Sequence, residues 1–281
     1  MTPTEQYLQH CRNIVDKVEA QRDTIDRAAD WFARTILADG LVHLFGSGHS
    51  RIMVEEMWPR YGSFPGFHPI VELSLTFHNL VVGSNGQRQA MFLENVSGLA
   101  ERILRNFDFS TDDCAMIVSS SGCNTVPVEM AEGFRARGMK VVVLVSRAHS
   151  EASGSRHPHG LKLSDVADLV LDTGAPVGDA MVKVEGLETP VAPGSTVGGC
   201  LVMNTIKAEV AARLTAAGQP PCVLSAGAVV GAERATELFE SAYDEHARRI
   251  ARLYAHVGEA STQKTKRLRL DPPDGSQAPR T

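Results

Sequence analysis

Leu41-Val42-His43-Leu44-Phe45-Gly46-Ser47-Gly48-His49-Ser50 is an apolar run that ends in a Gly/Ser turn, and Arg51 to Pro59 continues with helical character. The same order returns at Cys114 to Ser119. There the turn reads Ser119-Ser120-Ser121-Gly122-Cys123-Asn124-Thr125, and a helix follows from about Pro127 to Arg137. Strand, turn and helix repeated in this way predict a parallel sheet covered on both faces. Glycine lets a backbone approach a ligand closely, and a helix start offers unpaired N–H donors with a partial positive charge. In open parallel sheets, ligands lie beyond the carboxyl ends of the strands, where the strand order changes side. Both turns sit at such ends. Together they predict one pocket for a phosphorylated or otherwise anionic small molecule.

Outward from these turns, apolar positions from Glu5 to Ala38 recur every three or four residues, giving one long helix or two joined near Gln21. Asp39-Gly40 ends it. Tyr61 to His68 reads as loop, with weaker strand signals at Pro69 to Leu73 and Phe77 to Val82, and Gln89 to Asn106 reads as a helix. Lys140 to Ser146 is the clearest strand, Ala167 to Asp172 another, and Ala180 to Glu185 alternates like an exposed one. Gly194-Ser195-Thr196 opens a long helix to about Ala217, and Glu233 to Tyr254 forms the last helix. The expected architecture is a doubly wound α/β fold, a five-stranded parallel sheet flanked by helices, with long N-terminal and C-terminal helices. Residues 1–257 form a single domain. Gly258 to Thr281, polar and Pro-rich with Lys264, Lys266, Arg267 and Arg269, read as a disordered tail.

Composition narrows the function. The 281 residues are 43% apolar and 22% charged, with a net charge of −5, so no basic field points to nucleic acid or a membrane surface. No apolar stretch spans a bilayer, and Met1 to Ala20 is unlike a secretory leader, so a cytoplasmic location is expected. Cys11, Cys114, Cys123, Cys200 and Cys222 are odd in number and form no Cys-x-x-Cys pair. Cys11, Cys114 and Cys200 read as small buried residues, and Cys123 as partly exposed. His157-x-His159 lacks a third ligand beside it, so neither metal nor cofactor is expected.

The order Gly-Ser-Gly-x-Ser at Gly46 to Ser50, Ser-Ser-Ser-Gly-x-Asn-Thr at Ser119 to Thr125, and the strand Val141 to Ser146 resembles the sugar isomerase (SIS) domain. Members include phosphoheptose isomerase, arabinose-5-phosphate isomerase and the isomerase half of glucosamine-6-phosphate synthase. Gly48-His49-Ser50, Ala148-His149-Ser150, Ser155-Arg156-His157 and Gly174-Ala175-Pro176 resemble a bacterial single-domain branch. The likeness runs from about Glu5 to Tyr254 and implies a phosphosugar ligand and a homodimer or homotetramer. The phosphate cradle it implies is Ser47, Gly48, His49, Ser50, Ser119, Ser120, Ser121, Asn124 and Thr125, with Arg51 adding charge.

Aldose–ketose isomerisation moves a proton between adjacent carbons through an enediol, a task for a shielded carboxylate with a raised pKa. The resemblance places that base at Glu56, in the pair Glu55-Glu56 upstream of Arg60-Tyr61, with Glu55 as the alternative because the segment is a few residues shorter here. His78 is the first candidate for a second proton carrier, followed by His157 and His159. One departure is plain. Asn204 stands where phosphoheptose isomerases carry a catalytic histidine, and asparagine can bond a sugar hydroxyl but cannot shuttle a proton. Three rivals to a phosphosugar isomerase follow: a sugar-phosphate sensing module without catalysis, a lyase or etherase, and an isomerase of a sulfonated sugar.

Overall fold

The computed structural model describes residues 1–76 and 86–255. The Phe77 to Val82 strand, His78 and the tail lie outside those residues. In chain order the elements are α1 (Pro3–Glu19), α2 (Arg22–Leu37), β1 (Val42–Gly46), α3 (Arg51–Met57), β2 (Phe67–Ile70), α4 (Leu73–Thr76), α5 (Gly86–Leu93) and α6 (Leu99–Leu104). Then come β3 (Cys114–Val118), α7 (Thr125–Ala136), β4 (Lys140–Val145), α8 (Arg147–Ala152), α9 (Leu163–Val166), β5 (Leu169–Asp172), β6 (Ala180–Val182) and β7 (Val191–Pro193). The last described α-helices are α10 (Ser195–Ala216), α11 (Gly227–Val230) and α12 (Ala232–Ala251).

Five strands form a parallel sheet in the order β2-β1-β3-β4-β5. Side chains alternate across it, because successive residues of a strand point to opposite faces. Val42, Leu44, Met116, Val118, Val142 and Leu144 pack with α1, α2, α3 and α10 on one face. Phe45, Ala115, Ile117, Val141 and Val143 pack with α6, α7 and α9 on the other. From β1 the chain winds outward to β2 and then returns past β1 to β3, so the direction of winding reverses between β1 and β3. That junction is the switch point at which open α/β sheets bind ligands. The Gly/Ser turns follow its two strands.

Of the two forms expected at the N-terminus, the chain takes two helices joined at Gln21, whose side chain pairs with the edge strand: its Nε2 donates to the Asp172 carbonyl at 2.6 Å and its Oε1 accepts the Asp172 N–H at 2.9 Å. Other local expectations change. The loop ends early, since β2 starts at Phe67 and pairs with β1. The helix expected over Gln89 to Asn106 breaks in two, where Gly98 adopts φ +83° and donates its N–H to the Glu129 carboxylate at 2.8 Å. The Ala180 strand ends at Val182 and pairs antiparallel with β7, which buries Met181 and Val182. Cys123 is buried rather than exposed, and Cys11 and Cys200 are half-buried.

The amino end of the sheet carries a closed polar network. Asp113 accepts the N–H groups of Leu41 at 2.8 Å and Ser110 at 2.9 Å, the His43 ring at 3.1 Å, and the Arg252 guanidinium. With His43 Nε2 donating to Asp113, its Nδ1 accepts from His68 Nδ1–H at 2.9 Å. Burial, reinforced by the neighbouring His43, drives the His68 imidazole down to about 3. For Asp113 burial pulls upward, but the His43 hydrogen bond and the backbone N–H groups outweigh it and hold the carboxyl at about 2.

Candidate functional site

Beyond the carboxyl ends of β1 and β3 lies a cavity of about 380 Å³. Its wall includes Ser47, Gly48, His49 and Ser50 from the first turn and Ser119, Ser120, Ser121 and Asn124 from the second. Each turn bends through a glycine at positive φ, Gly48 at +55° and Gly122 at +62°, a conformation other residues rarely hold. The second turn is braced from within: Ser119 Oγ accepts the Gly122 N–H at 3.2 Å, and Ser121 Oγ accepts the Cys123 N–H at 3.3 Å. The buried Ser120 hydroxyl makes no hydrogen bond among the described residues.

The two turns are joined by a residue that sequence reasoning passed over. Glu94, just after α5, lines the cavity. Its carboxylate accepts from the Asn124 side-chain amide and from the Ser47 hydroxyl. Its backbone carbonyl accepts the Val126 N–H at 2.9 Å, so the break after α5 is tied directly to the start of α7. Burial pushes the Glu94 carboxyl up, against the pull of Asn124, Ser47 and the Arg156 charge. Two accepted bonds leave an ionised carboxylate with free lone pairs.

A second carboxylate in the wall, Asp179, is committed elsewhere. Its Oδ1 accepts the N–H groups of Gly194 at 3.0 Å and Ser195 at 2.6 Å, and its Oδ2 accepts the Ser195 hydroxyl at 2.7 Å. It therefore satisfies the opening donors of α10, whose Ser195 and Thr196 also face the cavity. His149 completes this side; its Nδ1 accepts the Gly178 N–H at 3.2 Å.

The remaining sequence candidates among the described residues do not line this cavity. Glu56 forms a cluster between α3 and α10: Arg60 donates to both its oxygens at 2.6 and 2.5 Å, and Asn204 donates to Oε1 at 2.8 Å. Lys207, buried, donates to the Glu56 carbonyl at 2.7 Å and to the Asn204 amide oxygen at 3.1 Å. Burial alone would raise the Glu56 carboxyl, but the hydrogen bonds from Asn204 and Arg60 prevail and hold it below the usual carboxylate range. Glu55 faces Arg51 at 3.6 Å. Thr125 is buried with its hydroxyl donating to the Arg156 carbonyl at 3.0 Å, and His157 is buried 3.3 Å from the Glu132 carboxylate.

One sequence signal for the missed residues existed. His149 lies in the Ala148-His149-Ser150 signature, though nothing in that triplet aims the ring at the turns. Glu94 carried none, because its register in the expected long helix is that of a solvated face.

Parallel strands with a hydroxyl-rich, helix-opened cavity at the switch point define an α/β protein built to hold a small polar ligand. The chain belongs to the SIS domain family, which it matches over residues 6–146. It is 34% identical over 233 residues to a UPF0309 protein of Listeria innocua, covering 83% of this chain and 91% of the relative. A UPF0309 protein of Geobacillus thermodenitrificans is 32% identical over 242 residues, covering 86% and 95%. Among solved structures, phosphoheptose isomerase GmhA from Neisseria gonorrhoeae aligns at 13% identity and a TM-score of 0.43, covering 75% of this chain and 96% of that one.

Proposed function

We propose that this protein binds a phosphorylated sugar in the cavity between the two Gly/Ser turns and interconverts its aldose and ketose forms by proton transfer through an enediol. The observation that carries the reading is Glu94, a half-buried carboxylate with an elevated pKa, hydrogen-bonded to both turns at the switch point. The turns supply backbone N–H groups and serine hydroxyls to an anionic headgroup. Glu94 then stands beside the sugar carbons as the base, where family resemblance alone pointed to Glu56. The pairing of Glu56 with Arg60 and Asn204 supports a structural role for it, with its charge already met. A sulfonated sugar fits the same cradle, since the donors read charge and oxygen geometry. The protein works without a cofactor, in the cytoplasm and as a homodimer. The exposed apolar edge of α10 at Val197 and of α3 at Ile52 supports the last point.

A binding-only sensor is the second reading, favoured by Asn204 standing where the resemblance expects a histidine. The experiment that separates the two incubates the protein with a panel of sugar phosphates in deuterated water and follows each by NMR. Deuterium entering the carbon beside the carbonyl, with conversion to the partner sugar, is the expected result. Exchange with loss of a substituent instead of isomerisation indicates the lyase or etherase. Thermal stabilisation by a ligand without exchange on any compound overturns the catalytic reading and leaves the sensor.

A further inference from the structure

We infer that His149 is a catalytic hydrogen-bond donor, presenting its Nε2–H to the sugar oxygen that gains charge when Glu94 removes the neighbouring carbon-bound proton. The inference rests on the isomerase reading above and adds the group that reading lacks. A carboxylate can take the proton, but an enediolate also needs a donor at its oxygen. Histidine is absent from the position on α10 where the family resemblance expects it, because Asn204 stands there and bonds Glu56.

The geometry of His149 is specific. β4 ends at Val145, and α8 begins immediately beyond its carboxyl end, the third strand end to reach the cavity. The start of α8 is anchored on both sides: the Arg147 N–H donates to Asp172 Oδ1 at 3.0 Å, and the Ser146 hydroxyl donates to the Ala175 carbonyl at 2.8 Å. From this anchored turn His149 reaches the cavity wall, and the Gly178 N–H donates to its Nδ1 at 3.2 Å. An Nδ1 that accepts cannot carry the proton, so the neutral ring carries it on Nε2 and is a donor there. Gly178 adjoins Asp179, which caps α10, so one loop fixes both the histidine tautomer and the helix start.

In the step assigned to the pair, the C–H bond beside the carbonyl breaks and its proton passes to a Glu94 oxygen. The electron pair becomes the C=C bond of the enediolate, and the former carbonyl oxygen takes the charge against His149 Nε2–H. The protonated Glu94 then returns its proton, or one exchanged with solvent, to the former carbonyl carbon, while the hydroxyl proton on the deprotonated carbon passes to the charged oxygen and leaves the new carbonyl behind. A neutral histidine at the developing oxyanion beside a glutamate base is an established division of labour in aldose–ketose chemistry.

The test uses the full chain, as wild type, His149→Ala and His149→Gln. Each is incubated in deuterated buffer with ribose 5-phosphate, arabinose 5-phosphate, fructose 6-phosphate and sedoheptulose 7-phosphate. Deuterium beside the carbonyl is followed on each compound the wild type exchanges, and binding of inorganic phosphate is measured in parallel. The expected result is about a hundredfold slower exchange in His149→Ala with phosphate binding unchanged, and partial recovery in His149→Gln, whose amide restores a donor. The ¹⁵N spectrum of the neutral wild-type ring places the proton on Nε2. Exchange in His149→Ala within about threefold of wild type overturns the role, as does phosphate binding that falls in step with exchange, or a proton found on Nδ1. Wild-type protein that binds phosphate but exchanges none of the four sugars overturns the isomerase reading, and this role with it.

Discussion

The two ends of one sheet carry polar clusters of opposite kind. At the amino end, Asp113 receives four donors, His43 passes the chain on to His68, and Phe109 and Phe134 close over the His43 ring at centroid distances of 4.7 and 6.0 Å. At the carboxyl end, the serines of two turns line an open cavity, the Ser120 hydroxyl has no partner among the described residues, and Glu94 keeps acceptor capacity. Buried polar groups are costly unless paired, so a closed network contributes to holding the fold, whereas unpaired capacity around a cavity is available to a ligand. The pKa directions differ for the same reason. Burial acts upward on both carboxylates, but only Asp113 gathers enough donors to reverse it.

The sharpest way to break this contrast is at Glu94. Glu94→Gln keeps the shape and an acceptor oxygen but removes the proposed base, and isotope exchange should fall about 10²–10⁴-fold while inorganic phosphate still binds. Glu56→Gln should reduce it less than about tenfold. The reverse ranking returns the base to the position that resemblance indicated.

The amino end should fail in the opposite sense. Asp113→Ala strands the N–H groups of Leu41 and Ser110, the His43 ring and the Arg252 guanidinium, and should cost roughly 3–5 kcal/mol in urea denaturation. Exchange per folded molecule should be preserved. A loss of activity without a loss of stability would mean the two ends are not separate in function.

Acid should act through the same cluster. His68 resists protonation down to about 3 when folded, against about 6.5 in an unfolded chain, so its contribution is complete above that upper value. As pH falls through the interval the unfolded chain takes up a proton that the folded one refuses, and stability declines. Asp113, at about 2 against an ordinary value near 3.9, adds a further loss only below about pH 4. The melting temperature should drop by roughly 5–10 °C between pH 7 and pH 5, and His68→Phe should flatten that slope. A melting temperature that is level across this range would rule the network out as the acid-labile element.

The smallest expected effect is at Asn124. Its amide hydrogen bond pulls the Glu94 carboxyl down against burial, so Asn124→Ala should move the acid limb of the exchange profile to higher pH. The maximal rate should fall by about tenfold or less. An unmoved limb would detach Asn124 from the base.

Much of this architecture was legible along the chain. Leu41 to Ser50 and Cys114 to Thr125 announced two strand ends with open turns, and eight residues of those turns do line one cavity. What was not legible depended on breaks in regular patterns. The helix expected over Gln89 to Asn106 contains nothing that marks Glu94, and only the left-handed Gly98, fastened by Glu129, divides it there. Glu55-Glu56 matched a family pattern by spacing, yet spacing along a helix says only which residues share a face, not what that face meets. Here α10 meets it, with Asn204 and Lys207.

The order of apolar runs and Gly/Ser turns by itself determined a parallel sheet with Gly/Ser turns at its strand ends, because those features rest on local backbone chemistry and alternation. Which carboxylate and which histidine stand beside the cavity was decided only in three dimensions. Glu94 lies just after α5 and His149 in α8, and they become neighbours of the turns through the sheet's reversal between β1 and β3 and through backbone bonds to Val126 and Gly178. Contacts between residues so far apart in the chain are set by packing, which no short window of sequence contains.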